Sequence, residues 1–345
     1  MFALLVVCIA HTGRAADSAV VLQYHHVGDS TPAITSVTPD RFREHLDILE
    51  QGGYHVISLA QLMQALAERT PLPDKAVVIT FDDAYLNIFD NAWPMLRQRN
   101  IPFTVFVNSE PVDRGYGSHM SWEQLRELSK AGVTLANHTH THAHLPRKQT
   151  GESDADWRER IRKEIELAEQ RIQQETQQSH RVLAYPYGEY NNAVKEIVKN
   201  LGYRAFGQQS GPVGYNSDPL ALPRFPVSAD YGTAAAFRER LRTLPMPLAN
   251  VKRPDNPLPH GSRPPLSLQL QAGDWATRQL RCYASGQGAI PVQWQNDTTL
   301  ATRADRPLPA GRSRYNCTMP SGDGRFYWHS EPWVTLTQDG DWVGD

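Results

Sequence analysis

Cysteine is scarce, with three in 345 residues, and one of them, Cys8, sits in the opening apolar stretch. Beyond that stretch only Cys282 and Cys317 remain, so a mature chain holds at most one disulfide of its own. Two cysteines in one β-rich region of an exported chain are expected to pair; two unrelated buried thiols are the alternative. An excess of charge of either sign is missing too. The formal net charge is -2 and no basic block occurs, so nothing points to nucleic acid as a partner. No internal repeat is evident. No apolar run after the first ten residues approaches the length of a membrane span, which leaves a soluble or peripheral mature chain as the expectation.

The start of the chain, Met1 to Ala10, is apolar and too short to cross a bilayer, and Gly13-Arg14-Ala15-Ala16 follows. That pattern predicts a secretory signal over residues 1–16, although a basic leading segment is lacking. Cys8 raises a lipid-anchor reading, against which Val7 is bulkier than the small residue usual before a lipidated cysteine. Export to the periplasm or the exterior, with envelope association, is the corresponding expectation.

Chain length suits one barrel-sized unit plus a smaller module. Over residues 17–244 short apolar strands alternate with amphipathic helices. Val20–Tyr24, Val77–Phe81, Phe103–Val107, Val133–Ala136, Val182–Tyr185 and Ala205–Phe206 read as strands. Between them, helices are predicted from Thr38-Pro39, from Ser121, over roughly Asp156–Glu175 and around Ala193–Leu201. Repeated β-then-α order implies parallel strands and an α/β barrel of the TIM type or a relative. Residues 245–265 lose periodicity and are rich in proline and asparagine, as in a linker. Residues 266–345 alternate polar and apolar positions in short runs, which predicts an all-β sandwich-like module.

The chemistry collects at strand ends. Val77–Phe81 runs into Asp82-Asp83, and Val133–Ala136 runs into Asn137-His138-Thr139-His140-Thr141-His142. One carboxylate and two imidazoles with an open position are what a catalytic metal needs. His138/His142 and His140/His144 share one spacing, so spacing leaves the pair open; closeness to the strand end favours His138 and His142. A solvated or adventitiously metal-binding histidine loop is the bland alternative. Two like charges in one pocket raise each other's pKa, so adjacent aspartates need separate roles. A metal on Asp83 leaves Asp82 as the base; the pair also suits a helix N-terminus.

With Tyr185-Pro186-Tyr187-Gly188, the Thr80-Phe81-Asp82-Asp83 and His138-Thr139-x-x-His142 segments resemble, in order, the three motifs of the polysaccharide deacetylases of carbohydrate esterase family 4. These carry the NodB-homology domain, and the resemblance spans roughly residues 20–230. It implies a distorted (β/α) barrel and removal of N-acetyl groups from an amino-sugar polymer. It implies Asp82 as base, Asp83, His138 and His142 on Zn2+ or on Co2+, Ni2+ or Fe2+, and the backbone N–H of Tyr187 facing the oxyanion. The chain departs from the pattern in three places. Ala184 stands where an arginine orients the base, leaving Arg224 as a candidate replacement. Ala84 stands where glycine is usual. No histidine lies between His180 and His260 to act as the acid.

Tyr24-His25-His26 at the first strand end resembles the permuted biofilm-exopolysaccharide subgroup that acts on poly-β-1,6-N-acetylglucosamine. In a barrel the first and last strands are neighbours, so His25 is assigned as the acid in preference to His26. Adjacent side chains on a strand point to opposite sides, so one of the two enters the pocket. Tyr85, Tyr185, Tyr187 and Trp122 are candidate sugar-stacking residues, with Trp122 equally suited to packing its helix. Of the later tryptophans, Trp275 and Trp333 are expected to be exposed and the rest to fill a core. Peptidoglycan, chitin or O-acetyl esters are alternative substrates, and a non-catalytic polysaccharide-binding protein is the alternative class.

Overall fold

The computed structural model describes residues 16–343. The predicted leader, with Cys8, lies outside the described residues apart from Ala16.

Six parallel strands form the centre: β1 (Ser18–Tyr24), β2 (Ala76–Phe81), β3 (Thr104–Val107), β4 (Thr134–Asn137), β5 (Val182–Ala184) and β6 (Arg204–Phe206). They lie side by side in that order. Every residue of β2 is buried, as expected of a strand with helices outside it and side chains filling the inside. The ring closes through residues 222–226. Leu222 bridges Phe206 of β6, and Phe225–Pro226 pairs in parallel with Leu22–Gln23 of β1. The result is the distorted (β/α) barrel expected.

The surrounding helices begin where the sequence supplies caps. Thr38 accepts from the Arg41 N–H at 3.1 Å, and Ser121 forms a capping box with Gln124. The longest helix, Asp154–Thr176, buries Trp157, Ile161, Ile165, Ala168 and Ile172, the stripe expected of it.

Beyond the barrel stand two sheets. One orders Thr243–Pro245, Phe326–Thr335, Gly311–Pro320, Arg281–Ala284 and Gly288–Ile290; the other orders Leu248–Lys252, Leu266–Leu270, Thr299–Thr302 and Val292–Trp294. Residues of both sheets share one core, among them Leu268, Leu300, Tyr315, Met319 and Trp333. The Cys282–Cys317 disulfide joins directly opposite residues of two paired strands.

Two expectations fail here. The stretch read as a linker contains the strand Leu248–Lys252, which pairs with Leu266–Leu270. It is an edge strand with no fully buried residue, and its Leu-Ala-Asn-Val-Lys order lacks the strict alternation that marks a half-buried strand. Trp333 is fully buried, edge-on to Tyr315 at 5.4 Å, because strand register turns it inward. Trp275 is half-buried and donates to the Gln271 carbonyl at 2.8 Å.

The sheets touch the barrel at its seam. Trp328 meets Phe225 at 5.6 Å, and Arg314 Nη1 donates to Ser210 Oγ at 3.0 Å.

Candidate active site

β2 extends by one hydrogen bond, from the Asp82 N–H to the Tyr24 carbonyl, and then turns sharply. Asp83 and Ala84 both adopt left-handed backbone, at φ 70° and 54°. This accounts for glycine as the usual residue in Ala84's place, since a side chain there costs roughly 1–2 kcal/mol. The turn aims the two neighbouring carboxylates at different partners.

Asp82 is fully buried. Arg224, also without exposed surface, grips it with two parallel bonds, Nη1 to Oδ1 at 2.7 Å and Nη2 to Oδ2 at 2.8 Å. Gln23 Nε2 adds a third donor to Oδ2 at 2.6 Å. Burial pushes the Asp82 carboxyl up, but the charge and hydrogen bonds of Arg224, together with the nearby His138 and His25, hold the group below its ordinary range. Arg224 is itself fixed by the Gly207 carbonyl at 3.1 Å and by the rings of Phe106 and Phe206. The guanidinium thus comes from the barrel seam. His25 Nε2 lies 4.0 Å from Asp82 Oδ2.

Asp83 Oδ1 lies 3.3 Å from His138 Nε2 and 3.3 Å from His142 Nε2, and one ligand atom from each residue falls within 4.8 Å of the others. His138 donates from Nδ1 to the Ala184 carbonyl at 2.8 Å, which turns Nε2 toward Asp83. Asp83 Oδ1 is buried and has no hydrogen-bond donor. An orphaned carboxylate oxygen facing two imidazole nitrogens fits a divalent metal with open coordination positions. Burial opposes ionisation of Asp83, yet the two histidines hold it well below the usual carboxylate range. Burial pushes His142 down to about 4, which favours the neutral, ligating ring.

The other histidine pair has other partners. His140 Nδ1 meets Ser109 Oγ at 2.7 Å, and His144 Nδ1 donates to Glu189 Oε2 at 2.8 Å. The ambiguity of spacing is thus removed by direction: His138 and His142 converge on Asp83.

His26 has other partners. Its Nδ1 accepts from Asn87 Nδ2 at 3.0 Å, and its ring stacks on Tyr85 at 3.8 Å. Burial, followed by the negative charge of Asp83, pushes the Tyr85 phenol well up. Tyr187 has φ 57° and ψ 2°, an uncommon conformation for a tyrosine, and its ring stacks on His144 at 3.7 Å and meets His142 edge-on at 4.5 Å. Two aromatic candidates lie elsewhere. Tyr185 is fully buried and donates from its hydroxyl to the Leu220 carbonyl at 2.9 Å, so it packs the core and presents no face to a sugar. Trp122 donates to Asp113 at 2.8 Å and lies under Arg171, within the helix layer.

Gln23 and Glu189 were not singled out from sequence. For Gln23 a signal existed: it is the one amide in the otherwise apolar run Val20–Tyr24, one residue before the strand end. Glu189 had none, because its partners come from two distant segments, His144 and Arg147 from one turn and Arg312 from a far strand.

Residues 69–206 match the family model for polysaccharide deacetylase. The chain is 29% identical over 262 residues to a poly-beta-1,6-N-acetyl-D-glucosamine N-deacetylase of Escherichia coli K12, covering 65% of this chain and 38% of that one. It is 27% identical to a protein of the same name from Staphylococcus epidermidis, covering 62% and 80%. The solved structure of IcaB from Ammonifex degensii is similar at a TM-score of 0.56 and 28% identity, over 64% of this chain and 96% of that one. The chain therefore spans about two fifths of the length of the first curated relatives it matches. Among the described residues no helix is long and apolar enough to cross a membrane. Family match, barrel topology and the named relatives agree: residues 69–206 lie in a polysaccharide deacetylase domain, and that family consists of hydrolases.

Proposed function

We propose that this chain removes acetyl groups from N-acetylglucosamine units of a polysaccharide, with a β-1,6-linked polymer as the favoured substrate. The observation that carries the reading is the division of labour between adjacent aspartates: Asp82 clamped by Arg224 and Gln23, Asp83 turned to His138 and His142. The names of the relatives support the choice of polymer.

A divalent ion such as Zn2+, held by Asp83, His138 and His142, would supply Lewis acidity toward water and the acetyl carbonyl. Asp82, kept ionised by Arg224, takes the proton of the attacking water. The bidentate grip also fixes the carboxylate's orientation. The Tyr187 N–H steadies the tetrahedral oxyanion. His25, with Nε2 4.0 Å from Asp82 Oδ2, gives its proton to the leaving nitrogen, releasing acetate and a free amine on the sugar. Tyr85 forms an aromatic wall for the sugar ring. The apolar opening stretch, Met1 to Ala10, supports export as part of this reading.

Acetate release from β-1,6-linked N-acetylglucosamine oligomers, from chitooligosaccharides and from an O-acetyl ester tests this directly. Asp82→Asn is expected to lower release by about 10²–10⁴-fold while bound metal is retained; His138→Ala is expected to lose the metal. Wild-type turnover by Asp82→Asn would remove the base assignment. Equal release from the 1,4-linked oligomers would remove the choice of polymer.

A further inference from the structure

Glu189 is buried beside the site, and its charge is answered from both the barrel and the β sheets. His144 Nδ1 donates to Oε2 at 2.8 Å, and Arg147 Nη2 lies 3.6 Å from Oε1. Arg312 Nη1, from the strand Gly311–Pro320, lies 3.9 Å from the same oxygen. The Arg312 guanidinium also lies over the Tyr187 ring, 5.2 Å from its centroid, while His144 stacks parallel on that ring at 3.7 Å. The Tyr187 ring is therefore held jointly by His144 and Arg312, and both holders pair with Glu189. The backbone it carries is left-handed, a conformation a tyrosine keeps only when its surroundings enforce it.

Two further contacts fix the sheet relative to this point. Arg314, two residues along the same strand, donates to Ser210 in the loop after β6. Trp342 lies under the Arg147 guanidinium at 5.0 Å.

We propose that Arg312 is a positioning residue for deacetylation: the C-terminal β sheets, through Arg312, hold Tyr187 in the conformation that presents its N–H to the oxyanion. This rests on the deacetylase reading above. The β sheets then contribute to turnover. A donor that wanders from its position weakens transition-state binding more than ground-state binding, so the effect belongs to kcat.

Arg312→Ala and Arg312→Lys in the full chain test the proposal with a β-1,6-linked N-acetylglucosamine trimer as substrate. Arg312 is 51% exposed along its side chain, so its removal is compatible with folding. For Arg312→Ala, kcat is expected to fall about tenfold with KM within about twofold and metal content unchanged. Arg312→Lys, which keeps the charge facing Glu189 but loses the flat guanidinium over the ring, is expected to fall between the two. An unchanged kcat, a rise in KM alone, or loss of metal would each overturn it. A crystal structure of Arg312→Ala gives a readout independent of activity: Tyr187 is expected to leave its positive φ, and an unmoved Tyr187 refutes the clamp. Failure of the deacetylase reading looks different, because it shows as no acetate release by the wild-type chain from any of the substrates.

Discussion

The barrel and the β sheets bury their interiors by opposite means. In the barrel, β1 and β2 are buried along nearly their whole length, and the Asp82 charge carried inside is answered by Arg224 and Gln23. In the sheets, Leu266–Leu270 and Gly311–Pro320 alternate buried with partly exposed residues, and a covalent cross-link joins two strands. A fully buried strand leaves its end residues nowhere to hide from a closed interior, so charge placed there must be paired. A one-sided sheet lets polar side chains face water and concentrates its requirement in a single apolar layer. Reactive groups accordingly gather where the first solution is used.

That contrast can be broken or sharpened by experiment. The largest effect is expected from Arg224→Met, which leaves the Asp82 charge buried without its partner and should cost about 3–5 kcal/mol. Hydrogen exchange resolved by region should show the loss in the barrel strands; an equal loss in the sheets would mean that the two regions unfold as one unit. Removing the disulfide with Cys282→Ser and Cys317→Ser should cost about 2–4 kcal/mol, read in the sheets first. Barrel protection falling before sheet protection in that variant would reverse the assignment.

A smaller, pH-dependent effect belongs to the barrel alone. His45 is fully buried between Phe237, the Gly232 carbonyl and Tyr24, and burial pushes it from 6.5 down to about 4. A depressed histidine favours the folded state fully above its unfolded pKa. As pH falls from about 6.5 to about 4, the unfolded chain takes the proton first, so stability drops by about 1.4 kcal/mol per unit, up to about 3 kcal/mol, and then levels off. His45→Gln should flatten that part of the stability curve; an unchanged slope would assign it to other groups.

Much of this was legible in the sequence for identifiable reasons. The apolar runs at β1 and β2, the caps at Thr38 and Ser121, and the stripe of the long helix follow local rules, and each lies as expected. Asp83, His138 and His142 were legible because strand ends in a parallel barrel share one face. Arg224 was harder. It lies in no periodic element, and its importance comes from a pairing between residues about two hundred positions apart. Aromatic orientation was poorly legible: a strand's pattern does not say which face a neighbouring sheet will cover, so Trp333 was misplaced outward and Tyr185 toward the sugar. The edge strand Leu248–Lys252 was hidden because its apolar residues, Leu248, Ala249 and Val251, do not alternate strictly. Arg312 could not be found from sequence, since nothing local connects residue 312 with residue 187.

The closure at residues 222–226 carries a consequence for how activity arises during folding. Leu22 opposite Phe225 and Gln23 opposite Pro226 set the alignment that delivers both Gln23 and Arg224 to one carboxylate. A slip of one position would withdraw both donors together. An unsealed ring therefore has no counter-ion for the Asp82 carboxylate, and on the proposed reading activity begins only when the last strand-like segment of the barrel has locked home.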